Sequence, residues 1–399
     1  MPKTQSFSKA GRKIACLATA DISIRFLLLR QLKYMQAAGY DVTAICADGP
    51  YVNQITANGI PVITLNMSRG VTSINDLKCI SGLINIFRRE RFDVVHTHTP
   101  KAGVLGRIAG KLAGVPFVAH TDLGLYFLNM HPLKRRVFIW MERFAGGLCD
   151  VMLFEDEKAM EFALQERLCR AGKARWIGGG IDLTEFHRKR IKAADIKAKK
   201  AELGLPQESV VIGMVARLVK EKGYCEFFEA ARMILKQRPD VRFLAVGPVD
   251  YEKKDAITPE WVRQKYGLNE EIAFAGVRLD MPAVYAAMDA FVLPTHRDSW
   301  PRSPMEAAAM ELPVVLSDLP GVAPMVTHGS TGYTVPVGNS SRLADAVLQI
   351  IQNPGEARAM GLAGRRLAEA RFDERKVFRR VADNYREKRP AAGKGIFLK

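Results

Sequence analysis

Short apolar runs alternate with amphipathic helical stretches along most of this chain, and this alternation constrains its fold more than any other feature. It predicts strands joined by helices, and therefore parallel sheets in an α/β protein. Several runs are apolar throughout, as expected of strands buried on both faces. In the first half of the chain the predicted strands are 14–20, 42–46, 62–65, 94–97, 117–121, 151–154 and 175–177.

The alternation stops at residues 186–206, which are rich in charge, and then resumes. The strands predicted after the interruption are 210–215, 241–246, 272–274, 290–293, 314–316 and 333–335. A chain of 399 residues is also too long for one ordinary core. We therefore expect two doubly wound domains at 11–185 and 207–370, joined by a basic linker at 186–206. Ligands of such sheets bind beyond the carboxyl ends of the strands, so candidate residues are sought directly after each strand.

The net charge of +17 is unevenly distributed and calls for an anionic partner or a structural explanation. Basic residues crowd two segments, one near 188–200 and one near 375–389. Nucleic acid is a poor match, because these segments lack interleaved aromatic residues and no nucleic-acid-binding module is recognisable. An anionic membrane surface, phosphorylated substrates and simple solvation of helix faces all remain open.

The cysteines and the apolar segments predict a cytoplasmic protein. The six cysteines are scattered, without C-x-x-C pairs or Cys/His clusters at zinc spacing, which indicates buried, reduced thiols rather than disulfides or a metal site. The apolar run at 14–20 is too short for a signal peptide, and no stretch approaches the roughly 20 apolar residues of a membrane span.

Two cations follow the strand predicted at 210–215. Arg217 and Lys222 belong to A-R-L-V-K-E-K-G at 216–223. Cations at the carboxyl end of a strand can bind a diphosphate and stabilise the negative charge it gains as an attached group leaves. The alternative is two ordinary surface residues of a basic protein, and the local pattern does not decide between them.

A loop carrying Asp298 follows the strand predicted at 290–293 and leads to a helix start, S-P-M-E. We expect Ser303 as the N-cap, Pro304 as the first helical residue and Glu306 as the second member of a capping box. A helix start also offers free N–H groups to an anion. Glu306 is therefore a candidate both for a cap and for ligand binding, and Asp298 could be only an ion-paired surface acid.

Taken together and in order, these motifs resemble a known family. Arg217 and Lys222 are followed by two acids separated by seven residues, and the second acid begins the motif E-A-x-A-M-x-x-P-V-V. Further segments carry the likeness: H-T-H-T-P-K-A-G at 96–103, G-I-D at 180–182 and G-S-T-G-Y at 329–333. Over most of its length the chain is similar to family 4 retaining glycosyltransferases of GT-B fold, particularly bacterial members that assemble capsule, exopolysaccharide or O-antigen.

The resemblance implies two Rossmann-like domains facing each other across a cleft, with residues 371–389 forming a helix that crosses back to the first domain. It implies a nucleotide-diphosphate-sugar donor, with UDP favoured, and a lipid-linked or saccharide acceptor. It also implies that no metal ion or other cofactor is required, because arginine, lysine and helix dipoles take the place of a cation. The departing phosphate would assist the attack of the acceptor hydroxyl on the same face, so configuration would be retained.

The resemblance also implies roles for single residues. Glu306 would bind the ribose, and Asp298, in place of the family's usual glutamate, would contact the transferring sugar. The residues implied to bind the donor diphosphate, through side chains or backbone N–H groups, are Arg217, Lys222, Ser303 and Met305. The candidates for contact with the acceptor are His98, Lys101 and Asp21.

The chain departs from the family in its first domain. The family often has His-Thr-x-His-Gly after a strand, with the second histidine near the reacting sugar, whereas here H-T-D-L-G places Leu123 at that position. His120 or Asp122 could partly substitute, so His120 is a catalytic candidate, and a buried, hydrogen-bonded His120 is the alternative. The departures leave open a catalytically impaired scaffold protein in a polysaccharide assembly complex. A sugar-nucleotide epimerase or hydrolase has no specific support.

The basic first domain and linker also suggest a place of action. Anionic lipid attracts basic segments of this kind. We therefore expect a cytoplasmic enzyme that can attach peripherally to the inner face of the cell membrane, and we expect no nucleic-acid partner.

Overall fold

A computed structural model of the chain describes residues 11–68, 73–124 and 131–386. The described residues form two units. One unit ends at Gly178 and takes up the chain again from Lys376, and the other comprises Gly179–Arg375. Each unit contains one parallel sheet covered by helices, which confirms the α/β class expected from the alternation of apolar runs.

The first unit contains a seven-stranded sheet with the order β3-β2-β1-β4-β5-β6-β7. Its strands are β1 Lys13–Ala20, β2 Asp41–Ala47, β3 Val62–Thr64, β4 Val94–Thr97, β5 Phe117–Asp122, β6 Val151–Phe154 and β7 Ala174–Trp176. The strand order reverses between β1 and β4, so the carboxyl ends of these two strands flank the point where open α/β sheets bind ligands.

Helices of the first unit connect these strands. They are α1 Asp21–Ser23, α2 Leu29–Ala37, α3 Val52–Ala57, α4 Ser73–Glu90, α5 Pro100–Ala113, α6 Pro132–Leu148 and α7 Glu157–Gln165. A π-helical stretch, Ile24–Leu28, joins α1 to α2. Proline at the start of α5 and of α6 suits the first helical turn, where its missing N–H would have no partner.

The second unit contains a six-stranded sheet with the order β10-β9-β8-β11-β12-β13. Its strands are β8 Val210–Val215, β9 Val241–Val246, β10 Ile272–Gly276, β11 Ala290–Leu293, β12 Val314–Ser317 and β13 Gly332–Val335. Here the order reverses between β8 and β11. The loops that follow these two strands carry the motifs singled out in the sequence.

The helices of the second unit include one in the segment expected as a linker. They are α8 Ala193–Glu202, α9 Tyr224–Leu235, α10 Pro259–Tyr266, α11 Met281–Ala286, α12 Arg302–Ala309, α13 Ser340–Gln352 and α14 Pro354–Arg371. The linker helix α8 has no buried residue, and Lys199 attaches it to Asp280 beside α11 at 2.5 Å. The limits of the two domains and the linker given above, 11–185, 186–206 and 207–370, remain predictions.

The C-terminal helix α15, Glu374–Arg386, packs against the core of the first unit. Its buried residues there are Val377, Phe378, Val381, Ala382 and Tyr385. The end of the helix predicted at 371–389 lies outside the described residues. Among the helices that the structure describes, none is long and apolar enough to cross a membrane.

All thirteen strands predicted from the sequence are present, and no bound differs by more than two residues. The prediction worked because most of the strands are runs of apolar residues, which are visible in the local sequence. The six cysteines are all free, five of them buried, which confirms the expectation of unpaired thiols.

Candidate functional site

Two side chains predicted to bind a donor meet beyond the carboxyl ends of the two central strands of the second sheet. Lys222 follows β8 in a 3₁₀ turn, Lys220–Lys222, and Asp298 follows β11. The Lys222 Nζ lies 2.6 Å from Asp298 Oδ2, and the two side chains are only 15% and 17% exposed. Because the pair is partly withdrawn from water, its attraction is stronger than that of an exposed surface pair.

Gly223 lets the two loops approach each other. Its φ of 89° lies in the left-handed region, and a Cβ at this position would overlap the carbonyl oxygen of Pro294. The neighbouring Glu221 carbonyl accepts hydrogen bonds from the His296 N–H at 2.9 Å and from the Thr295 hydroxyl at 3.2 Å. Only glycine fits here, and the close approach places Lys222 against the loop that carries Asp298.

Arg217 is held by a different partner. Its guanidinium donates to the carboxylate of Asp250, which follows β9, and the arginine side chain is 45% exposed. Sequence reasoning missed Asp250, although an acid three to four residues after a predicted strand is the available signal. The structure therefore places both cations after β8 and pairs each with a separate carboxylate.

The start of α12 differs from the expectation. The helix begins at Arg302 with Pro301 as its N-cap and no side-chain cap, so the prediction of Ser303 as N-cap and Glu306 as capping-box partner is wrong. Pro301 has an extended backbone conformation, and the helix begins two residues earlier than predicted. Met305 is then the fourth helical residue, whose N–H is the first to bond within the helix, and Pro304 has no N–H. Ser303 lies in the first turn of α12, where helical N–H groups have no partner within the helix.

Glu306 is bound by a tyrosine that sequence reasoning missed. The Tyr285 hydroxyl donates to Glu306 Oε2 at 2.9 Å and lies 3.3 Å from the Ser303 carbonyl oxygen. Burial raises the pKa of the Glu306 carboxyl above its usual value, and the Tyr285 hydrogen bond acts in the opposite sense. Tyr285 itself is fully buried in α11. Glu306 is thus oriented by a neighbour rather than used as a cap.

Trp300 anchors the loop between Asp298 and α12, and nothing in the sequence pattern pointed to it. Its φ of 55° is uncommon for a bulky residue, and the side chain is 5% exposed. The backbone N–H of Trp300 donates to the Gly321 carbonyl at 2.9 Å, and a Cβ on Gly179 would overlap the indole ring. The strained backbone is held by packing on both sides, which fixes the path of the loop.

In the first unit, His120 is buried and hydrogen-bonded, which is the alternative considered for it. Its Nδ1 lies 2.9 Å from the Thr97 hydroxyl oxygen and 3.1 Å from the Thr97 carbonyl oxygen. A Cβ on Gly103 would come 2.6 Å from its Cε1, so glycine makes room for the ring. Burial holds the pKa of His120 well below its usual value and so favours the neutral imidazole.

His98 is buried without a hydrogen-bond partner on either ring nitrogen among the described residues. Its ring centroid lies 4.1 Å from that of His96, and burial lowers the pKa of His98 to about 3. His96 is satisfied by the Tyr385 hydroxyl at 2.5 Å and the Thr121 hydroxyl at 2.7 Å. Both histidines are buried in the first unit.

The other two acceptor candidates bind neighbours in the first unit. Both carboxylate oxygens of Asp21 accept backbone N–H groups, from Ile22 at 2.8 Å and from Tyr51 at 2.7 Å. Lys101 pairs with Asp76 at 2.6 Å and is 12% exposed. Asp21 thereby ties the end of β1 to the loop after β2.

Asp122, at the end of β5, has its carboxyl buried in the first unit. Burial raises its pKa to about 7, although the Gly124 N–H donates to it at 2.6 Å. A fully buried ion pair between Arg107 and Glu142, with a separation of 2.6 Å, belongs to the same unit. Across the described ranges, no group of three or more His, Cys, Asp or Glu side chains could hold a metal ion.

Two family models match this chain in order. The model described as Glycosyl transferase 4-like domain matches residues 26–180, and the model described as Glycosyl transferases group 1 matches residues 195–367. The second match contains Arg217, Lys222, Asp298 and Glu306.

Curated relatives and solved structures resemble the chain over most of its length. An Escherichia coli UDP-Gal:alpha-D-GlcNAc-diphosphoundecaprenol alpha-1,3-galactosyltransferase is 29% identical over 81% of this chain and 83% of the relative. The Staphylococcus aureus capsular polysaccharide biosynthesis glycosyltransferase CapM is 26% identical over 94% and 97%. The structure of Anabaena HepE in complex with UDP and glucose covers 94% of this chain and 100% of its own, at 21% identity and a TM-score of 0.81.

Proposed function

This chain belongs to the family 4 glycosyltransferases of GT-B fold, and from that premise we propose that it transfers a sugar from a UDP-sugar onto a lipid-linked or saccharide acceptor in surface polysaccharide biosynthesis. The observation that carries the proposal is the Lys222–Asp298 pair at 2.6 Å, at the point where the strand order of the second sheet reverses. A cation for a diphosphate and a carboxylate for a sugar are thereby adjacent.

Lys222 and Arg217 bind the donor diphosphate in this proposal. Both follow β8, and both are held by carboxylates, which keeps them oriented before an anionic ligand arrives. A charge-assisted contact to a phosphate oxygen is stronger than one between neutral groups. The N–H groups at the start of α12, including that of Ser303, add donors to the same anion.

Glu306 binds the ribose hydroxyls of the donor. The Tyr285 hydroxyl holds one carboxylate oxygen at 2.9 Å and leaves the other for a ligand. An ionised carboxylate accepts hydrogen bonds only, which suits two neighbouring hydroxyl groups.

The transfer takes place at the anomeric carbon of the donor sugar. The bond from that carbon to the β-phosphate oxygen breaks, and a bond to the acceptor oxygen forms on the same face. The acceptor hydroxyl proton passes to the departing phosphate, so UDP leaves without an added base and configuration is retained. Lys222 and Arg217 stabilise the charge that grows on the leaving phosphate, in a manner that requires no metal ion. Asp298 contacts the transferring sugar. His120 also contacts it, through Nε2, because Nδ1 is hydrogen-bonded to Thr97.

The nature of donor and acceptor is inferred from relatives. The E. coli relative is named for UDP-Gal and for a GlcNAc-diphosphoundecaprenol acceptor, and the S. aureus relative for capsular polysaccharide biosynthesis. HepE is described with UDP and glucose. These names support a UDP-sugar and a diphospholipid-linked acceptor for this chain, and such an acceptor places the enzyme at an anionic membrane surface.

Acceptor-dependent release of UDP tests this proposal. The purified protein is incubated with a panel of UDP-sugars, with and without a diphosphoundecaprenol-linked sugar, in the presence of EDTA. The proposal predicts release that requires one UDP-sugar and the acceptor, is unaffected by EDTA, and yields a product whose anomeric configuration by NMR matches the donor. Binding of UDP without release from any combination would favour a scaffold protein of the same fold.

A further inference from the structure

Helix α6, Pro132–Leu148, presents an apolar stripe to solvent. Its members are exposed large hydrophobic residues: Leu133 at 68%, Val137 at 53%, Trp140 at 66% and Phe144 at 52%. Their spacing of four, three and four residues places them on one face of an α-helix. The stripe from Leu133 to Phe144 is about 16 Å long at 1.5 Å per residue.

The opposite face of α6 is anchored in the first unit. Glu142 on that face is buried and pairs with the fully buried Arg107 at 2.6 Å. Ile139 and Ala145 are buried there, and a Cβ on Gly146 would overlap the Leu168 carbonyl oxygen. The helix therefore cannot rotate to bury its apolar stripe without breaking an ion pair in the core.

The stripe is also organised within itself. The rings of Trp140 and Phe144 are stacked, with centroids 6.2 Å apart and an interplanar angle of 11°. Tryptophan and phenylalanine beside the polar headgroups are typical of helices that lie in a membrane interface. Single exposed hydrophobic residues need no explanation, but four in a row on one helix face mark an interaction surface.

Positive charge borders the stripe on both sides. On a helical wheel Lys134 lies on one side, and Arg136 and Arg143 lie on the other. Arg143 is paired with Glu166, whereas no acidic side chain in the described part of the chain pairs with Lys134 or Arg136. The one acid of α6, Glu142, is on the buried face. The exposed surface of this helix is thus apolar in the middle and basic at its margins.

We infer that α6 docks onto an anionic lipid bilayer, with its apolar stripe at the boundary of headgroups and acyl chains and its basic margins on lipid phosphates. An anionic bilayer matches both the basic margins and the apolar stripe of α6, because anionic lipids attract basic residues and the boundary of headgroups and acyl chains buries apolar ones. A second copy of the chain fits less well, since two stripes meeting face to face would bring like charges together. The inference deepens the proposed function, which places the acceptor in a membrane.

Vesicle co-sedimentation without any sugar nucleotide tests the inference. The protein is mixed with phosphatidylethanolamine vesicles with and without phosphatidylglycerol. Wild type is expected to bind the anionic vesicles, and Trp140→Gln/Phe144→Gln to lose roughly tenfold or more of that binding, because two large rings no longer enter the lipid. The matched control, Leu112→Gln/Leu362→Gln, removes exposed apolar side chains from other helices and is expected to bind like wild type.

The charge component is tested separately. Lys134→Gln/Arg136→Gln is expected to lose the preference for anionic over neutral vesicles, and Arg358→Gln/Arg366→Gln on α14 to keep it. Absence of wild-type binding, equal binding by Trp140→Gln/Phe144→Gln, or a dimer in sedimentation velocity that this variant abolishes would each overturn the inference.

UDP-induced thermal stabilisation of the same proteins separates the two proposals and reports folding of each variant. If UDP stabilises the protein but the protein does not bind vesicles, the inference that α6 docks onto a membrane is contradicted and the donor assignment is not. If the protein binds vesicles but UDP does not stabilise it, the donor assignment is contradicted and the inference about α6 is not.

Discussion

The Lys222 ammonium lies 2.6 Å from the Asp298 carboxylate in the unliganded protein, and neither side chain is more than 17% exposed. A diphosphate that binds Lys222 competes with that carboxylate for the cation. The pair therefore couples the residue proposed to hold the leaving group to the residue proposed to contact the sugar.

Asp298→Asn separates these two roles. Without the carboxylate Lys222 is freed for phosphate, so we expect UDP to bind as tightly as to wild type or more tightly. Sugar transfer is expected to fall roughly tenfold to a hundredfold, because a contact made to the reacting sugar is lost. Calorimetry with UDP and initial rates at saturating donor measure the two effects. Weaker UDP binding with an unchanged rate would contradict the assignment.

Gly223→Ala is expected to destabilise the second unit and abolish UDP binding. The new Cβ collides with the Pro294 carbonyl oxygen in addition to straining a φ of 89°. Gly267→Ala is the matched control, because Gly267 also has a positive φ, 67°, but a Cβ there meets nothing within 4 Å. Backbone strain alone costs on the order of 1 to 3 kcal/mol, so the control is expected to lower stability modestly and to bind UDP normally. Urea denaturation and calorimetry of both variants give the comparison. If Gly223→Ala bound UDP like the control, the close approach would not position Lys222.

Glu306→Gln is expected to weaken UDP binding about tenfold, because the ribose hydroxyls lose a charged acceptor. Tyr285→Phe, which removes the hydroxyl that orients Glu306, is expected to raise the KM for donor by a smaller factor and to leave kcat nearly unchanged. Since burial raises the pKa of Glu306, UDP affinity should decline on acidification from a higher pH than for an ordinary carboxylate. Glu306→Gln should lack that decline. Equal affinity for UDP and for a 2′,3′-dideoxy analogue in wild type would argue against a ribose contact.

Asp122 predicts how stability depends on pH. Its pKa is about 7 in the folded protein against 3.8 ordinarily, so the folded state binds the proton more tightly. Stability from this group is present below the ordinary value and is lost as pH rises towards the folded value, by at most about 4 kcal/mol. Asp122→Asn keeps an acceptor for the Gly124 N–H and removes the titration. The difference in unfolding free energy between wild type and variant should therefore shift in favour of the variant from pH 4 to pH 7, as measured by urea denaturation. A difference independent of pH would contradict the raised pKa.

The strands and the positions of Arg217, Lys222 and Asp298 were predictable because apolar runs and strand ends are local signals. The contacts of these residues were not, because Asp250 and Tyr285 lie on other elements and reach the site only through the fold. The start of α12 was misplaced because S-P-M-E satisfies the rules for a capped helix, whereas Pro301 begins the helix without a side-chain cap. Trp300 could not be foreseen, since its left-handed backbone depends on packing against Gly179. The exposure of the apolar stripe of α6 could not be predicted, because an apolar stripe that faces a core has the same spacing along a helix.

Binding of UDP to Lys222→Ala, compared with wild type and Lys220→Ala, tests the central claim most directly. Lys220 belongs to the same 3₁₀ turn, but its Nζ lies over the Trp261 ring, 5.3 Å from the centroid, instead of beside Asp298. The account predicts that UDP binds wild type and Lys220→Ala alike, and binds Lys222→Ala at least roughly tenfold more weakly, because a charge-assisted phosphate contact is lost. Equal UDP affinity in all three proteins, or no binding to wild type, would contradict it.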